Sequence, residues 1–163
     1  KAGSDSNPLA HTLTGNTALM TLNGEVASEF LLHAYAAALF EVPVAFVSTD
    51  VGLAADITSI NPNIHTLAVS EGIGASTVSI APNFARSQIQ TSVQAALSGD
   101  LTPCKLVLPK HFELEVHYQT PTAAYRTAHY PGAAHSGPRS IRFETDDYFD
   151  VLRCILFTVL SRT

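Results

Sequence analysis

Charge is scarce in this sequence. Asp, Glu, Lys and Arg make up 14% of its 163 residues, against about 25% in ordinary globular domains. No tract of like charge occurs, and nine Lys and Arg set against fourteen Asp and Glu leave a net charge of −5. The basic residues are scattered, which excludes a basic nucleic-acid surface. Long apolar runs are missing as well: residues 29–40 and 42–47 are the longest, and each carries a carboxylate or a proline. Both fall short of the roughly 20 residues needed to cross a bilayer, so no membrane span is expected. Cysteine is reduced to Cys104 and Cys154, too few for a secreted disulfide framework and not paired as in a metal motif. Buried free thiols in a reducing cytosol, and hence a cytoplasmic protein, are the expectation. The opening Lys1-Ala2-Gly3-Ser4 has neither an initiator Met nor the apolar core of a signal peptide. It reads as a chain that starts part-way through a protein.

What is present suits one folded core. Hydrophobic residues make up 46% of the chain, which rules out wholesale disorder at a length typical of one domain. Residues 18–22 read as a short strand ending at the turn dipeptide Asn23-Gly24. A helix is expected over 26–40, where Val26, Phe30, Ala34, Ala37 and Ala38 recur at three- and four-residue steps. The valine-rich run 42–47 suggests a strand buried on both faces, and with it a parallel sheet. Asp50 caps a short helix to about residue 57, a strand follows over 65–69, and residues 83–97 form a second long amphipathic helix closed by Gly99. Residues 112–118 alternate apolar and polar, the period of a strand with one wet face. A short helix at 122–129, a strand at 140–145 and a closing helix at 147–160 complete the order. The expected fold class is layered α/β/α with a mixed, mostly parallel sheet. The seam at 98–109 divides a first part, residues 1–98, from a smaller α/β portion, residues 99–163.

Two residues stand out for chemistry. Glu29 lies among the apolar Phe30, Leu31 and Leu32, and a buried carboxylate needs a cation, a metal or several donors. His33 is four residues on, on the same helical face. A metal ligand, a Glu–His surface pair and a carboxylate favouring the helix dipole are all consistent with this spacing. His11 sits in the small-residue loop Ala10-His11-Thr12-Leu13-Thr14-Gly15, a setting that suits either a catalytic imidazole or a structural one. The other five histidines are weaker candidates, and none has the spacing of a local zinc site. Glu71-Gly72-Ile73-Gly74 lacks the third glycine of a dinucleotide fingerprint, and no phosphate loop, Gly-x-Ser-x-Gly elbow or His-Glu-x-x-His motif occurs.

Longer segments say more than these spacings. Lys1-Ala2-Gly3-Ser4 through Ala10-His11-Thr12, then Leu22-Asn23-Gly24-Glu25-Val26-Ala27-Ser28-Glu29, then the stretch from Phe40 to Asp50 resemble, in order, the zinc D-aminopeptidases of dipeptide-transport operons. Ile60-Asn61-Pro62-Asn63, Glu71-Gly72-Ile73-Gly74, the helix around Arg86 and the strand from Ile141 to Glu144 with its helix agree, so the resemblance covers essentially the whole chain. In that family five side chains hold two zinc ions, and the resemblance places one of them on Glu29. The other four, an Asp-x-Glu pair and two histidines, belong upstream of Lys1. The family's catalytic histidine falls on His11; apart from the resemblance, its loop neighbours Thr12 and Thr14 carry hydroxyls able to orient the ring through hydrogen bonds. His33 inherits no family role and is a candidate only for supporting the metal ligands.

The resemblance implies hydrolysis of short peptides that begin with a D-amino acid. Two zinc ions would lower the pKa of a bound water and polarise the peptide carbonyl, while a histidine moves a proton or steadies the oxyanion. It also implies stacked pentameric rings, a homodecamer. Zinc needs about four donors, so the pair should not bind to this chain alone. Two other readings stand beside the enzyme: a non-catalytic peptide-binding or ring-forming module of the same fold, and an unrelated α/β hydrolase.

Overall fold

Asn23 and Gly24 both take positive φ, 53° and 82°, which is what a two-residue hairpin turn between twisted strands requires. In the computed structural model, which describes residues 1–161, that turn joins β1 (Thr17–Leu22) to β2 (Glu25–Val26), with Leu22 opposite Glu25. The hairpin uses residues expected in a helix, so α1 (Glu29–Leu39) begins three positions later than the periodicity suggests. Ser28 caps it: its Oγ accepts the Leu31 N–H at 3.1 Å, relieving one of the unpaired amides of the first turn.

The chain divides into two compact units. One comprises Lys1–Gly3, His11–Ala36 and the chain from Leu108 onward. Its five-stranded sheet runs β2-β1-β6-β8-β7 and is antiparallel throughout, with β6 at Phe112–Tyr118, β7 at Ala133–Gly137 and β8 at Ser140–Thr145. The alternation over β6 is as expected: Phe112, Leu114, Val116 and Tyr118 are buried, while Glu113, Glu115 and His117 are partly exposed. Two helices pack on this sheet, α4 (Pro121–Thr127) and α5 (Tyr148–Ile155). Asp147 caps α5 by accepting from Phe149 N–H, and the helix runs on into a π turn at Leu156–Leu160. The core gathers Met20, Leu114, Val116, Ile141, Val151 and Cys154, all fully buried. Burial pushes the Cys154 thiol up to about 11, which keeps it protonated and unreactive. The Tyr148 hydroxyl donates to the Leu32 carbonyl at 2.7 Å and so ties α5 to α1.

The second unit comprises Ser4–Ala10 and Ala37–Val107. Its three-stranded sheet runs β3-β4-β5, with β3 at Phe46–Asp50, β4 at His65–Ile73 and β5 at Ser76–Ser79. Helices α2 (Val51–Ile60) and α3 (Pro82–Leu97) pack against it. Asp50 caps α2 as expected, accepting from Leu53 N–H at 2.8 Å. The segment Ser4–Ala10 lies along this sheet, where Gly72 N–H donates to the Ser6 carbonyl at 2.9 Å. A Cβ on Gly72 would stand 2.5 Å from that oxygen, which is why glycine is needed inside a strand here.

Three expectations are corrected. The sheets are not mostly parallel: β3 with β4 is the one parallel pair among the described strands. Hairpins, which need only short turns, make β1–β2, β4–β5 and β7–β8, and the pairings between non-consecutive strands, β1–β6 and β6–β8, are antiparallel as well. The run 42–47 is not a strand buried on both faces. Helix α1 closes with Glu41 at a φ of 58° and Val42 N–H on the Ala37 carbonyl, Pro43 follows with no N–H to give, and the strand starts only at Phe46. Finally, the compact units do not divide at 98/99. The segment 98–109 does lose regular structure apart from one 3-10 turn, Thr102–Cys104, yet β1 pairs with β6 and so joins both ends of the chain in one unit. Among the described residues no helix is long and apolar enough to cross a membrane.

Candidate functional site

His11, Glu29 and His33 all belong to the first unit. His11 is exposed, and its neighbour Thr12 is completely buried. The Thr12 hydroxyl works in both directions: Oγ1 accepts the Ala2 N–H at 3.0 Å and donates to the Ala27 carbonyl at 3.1 Å. Each such bond adds about 0.5–1.5 kcal/mol net, and each satisfies a main-chain group of a buried residue, since Ala2 and Ala27 are 2% and 0% exposed. Ala27 is followed by the cap Ser28 and by Glu29, the first residue of α1. The segment carrying His11 is therefore fastened to the helix N-terminus carrying Glu29.

The loop turns immediately afterwards. Leu13 has a φ of 64°, and Thr14 N–H donates to the Thr12 carbonyl at 2.7 Å. A three-residue turn with a positive central φ is strained, and a leucine holds it at a cost of about 1–3 kcal/mol. Thr14 Oγ1 then accepts the Asn16 N–H, leading the chain into β1.

Glu29 is exposed, contrary to the burial its apolar neighbours suggest. Leu31 and Leu32 face the core at 4% and 2% exposure, while the first helical position turns its carboxylate to the surface, where the helix dipole favours it. The His33 ring lies against this turn, its Nδ1 at 2.7 Å from the Glu29 carbonyl oxygen. A carbonyl only accepts, so Nδ1 carries the proton and Nε2 of the neutral ring is left as an acceptor. Among the described residues no three His, Cys, Asp or Glu side chains cluster so as to hold a metal. The donors of this chain therefore do not by themselves fit a zinc site, which takes about four.

A cleft of about 640 Å³ lies elsewhere along the same loop. Asn16, Thr17, Tyr118, Gln119 and Thr127 contribute to its walls; His11 and Glu29 do not. Thr17 Oγ1, buried in that wall, has no hydrogen-bond partner among the described residues. Thr12 stands out in the sequence only as a neighbour able to orient the His11 ring; its link to Ala2 and Ala27 is not legible there, because one threonine among many small polar residues has no distinguishing spacing.

Comparison with known proteins bears on this arrangement. The family profile for peptidase M55, D-aminopeptidase, matches residues 1–157. The structure is similar to that of the Zn-dependent D-aminopeptidase DppA from Bacillus subtilis, a self-compartmentalizing protease, with a TM-score of 0.86 at 20% sequence identity. That match covers 98% of this chain and 59% of the DppA chain, so the sequence spans less than two thirds of its structural relative. No curated protein sequence matches.

Proposed function

The chain belongs to the M55 family of D-aminopeptidases, and from that membership we propose that it forms part of a zinc metallo-aminopeptidase acting on short peptides with an N-terminal D-amino acid. One observation within the fold supports the reading above others. His11 and Glu29, the residues on which the family resemblance places catalytic and ligand roles, stand exposed on two segments joined by a buried hydroxyl. A carboxylate at a helix start suits a cation, and an imidazole on a rigid turn suits proton transfer near neutral pH.

Zinc supplies a Lewis acid and an activated water when bound. Glu29 offers one carboxylate to it, and two ions per subunit require donors beyond those described. His11 takes or gives a proton at the scissile amide, or donates a hydrogen bond to the oxyanion. His33, held by the Glu29 carbonyl, steadies the first turn of α1 beneath the carboxylate.

The reading extends to self-association into closed rings, a homodecamer, with the peptide cleaved inside. The self-compartmentalizing character of DppA supports it, as do strongly exposed apolar side chains such as Leu9, Phe40 and Val107, at 80%, 73% and 89%. A cytoplasmic setting is supported by two buried free thiols.

Hydrolysis of a D-alanyl dipeptide and of its L-enantiomer by the native protein, with zinc quantified in the same sample, tests the proposal. Preferential cleavage of the D-form, lost on chelation, is expected. A zinc-free protein that binds the peptide without cleaving it would replace this reading with the peptide-binding module.

A further inference from the structure

We infer that Thr12 is the positioning residue of this site, setting where the His11 imidazole stands relative to Glu29. The inference rests on the reading of His11 and Glu29 given above. Its physical basis is a set of constraints that converge on one residue. Thr12 is 0% exposed, so its side chain has no solvent alternative. Both hydrogen-bonding capacities of its hydroxyl are used on main-chain groups far apart in sequence, Ala2 at 3.0 Å and Ala27 at 3.1 Å. Its carbonyl closes the strained turn at Leu13. The residue therefore has its side chain fixed by the entry to α1 and its main chain fixed by a turn that resists relaxation. His11, one peptide bond away, inherits the orientation of that anchored backbone.

A hydroxyl does this better than an apolar side chain of the same shape. Valine would fill the space yet leave the Ala27 carbonyl and the Ala2 N–H without their partner, and both would seek new ones by shifting the backbone. Reaction geometry is sensitive to such shifts, since a displacement of about 1 Å costs on the order of 10²-fold in rate.

The test compares Thr12→Val with Thr12→Ser in the native protein. Valine removes the hydroxyl; serine retains it and loses only a methyl. With a D-alanyl dipeptide, Thr12→Val should lower kcat by about 10- to 100-fold with KM changed less than about threefold, and Thr12→Ser should recover most of the loss. Zinc content should be unchanged in both. Independently of activity, the His11 ring signals in a ¹H–¹³C NMR spectrum should move in Thr12→Val and stay near their wild-type positions in Thr12→Ser. If Thr12→Val does not fold, Thr12→Ala serves in its place, because the vacated volume admits a water. Unmoved His11 signals in the folded hydroxyl-less variant overturn the inference. So do equal losses in Val and Ser that follow melting temperature alone. Failure of the underlying functional reading looks different: wild-type protein without peptidase activity, in which the His11 signals still respond to loss of the hydroxyl.

Discussion

His33 reaches back one helical turn and donates from Nδ1 to the main-chain carbonyl of Glu29, at 2.7 Å. The contact is to the backbone, so the two side chains are chemically separable. Replacing the Glu29 carboxylate leaves the His33 bond in place.

Glu29→Gln should thus be a clean probe of the carboxylate. An exposed substitution of this kind is expected to shift stability by no more than about 0.5 kcal/mol, while at least one zinc and nearly all turnover are lost. Metal analysis and a melting curve on the same preparation check it. Full zinc and normal turnover in this variant would remove Glu29 from the ligand set.

For His11→Ala the opposite pattern is expected: zinc retained and kcat reduced by roughly 10²–10⁴-fold. Steady-state kinetics with metal analysis decide between roles. Wild-type turnover would take His11 out of the mechanism, and lost zinc would make it a ligand.

A pH effect is expected at His111. His111 Nδ1 lies 2.7 Å from Asp146 Oδ1, and its Nε2 lies 3.7 Å from Glu144 Oε2. The hydrogen bond to Asp146, aided by both carboxylates, raises the His111 pKa above its ordinary value. A raised folded-state pKa gives stability that is fully present below the unfolded value, about 6.5, and is lost as pH rises through the folded value. Asp146→Asn should lower the His111 pKa in an NMR titration. Its melting temperature should fall below wild type at pH 5.5 and converge with it above pH 8. A constant difference across that range would refute the linkage.

Gly72→Ala should cost about 1–3 kcal/mol, since its Cβ meets the Ser6 carbonyl at 2.5 Å and backbone must move to admit it. Gly15→Ala is the control. Nothing lies within 4 Å of a Cβ there, and near-neutral stability is expected. Urea unfolding of both variants measures the contrast; equal midpoints would mean that Ser4–Ala10 does not hold to β4.

How much of this was readable beforehand depends on whether a residue's neighbours are local. Strand β6 was legible because alternate side chains enter one dry face, and Asn23-Gly24 because few other dipeptides tolerate two positive φ values. Strands β5 and β7 were missed: Ser76–Ser79 is exposed throughout and Ala133–Gly137 presents no apolar stripe, so ladder bonds rather than side-chain pattern define them. Glu29 was placed correctly on α1 and wrongly buried, because its neighbours Leu31 and Leu32 point inward while it sits at the first helical position. The proposed roles of His11 and Glu29 rest on segment resemblance and not on spacing. The Thr12 link to Ala27, which crosses fifteen residues through one hydroxyl, leaves no periodic trace.

The pairing of β1 with β6, Leu22 opposite Leu114, also bears on the order of synthesis. At about 5–20 residues per second, the ribosome releases the β1–β2 hairpin several seconds before its partner strand exists. Meanwhile β3, β4 and β5 emerge in one uninterrupted stretch and have all their sheet partners at hand. During that interval the three-stranded sheet has all its strands, while Met20 and Leu22, buried in the finished fold, still await the partner strand β6.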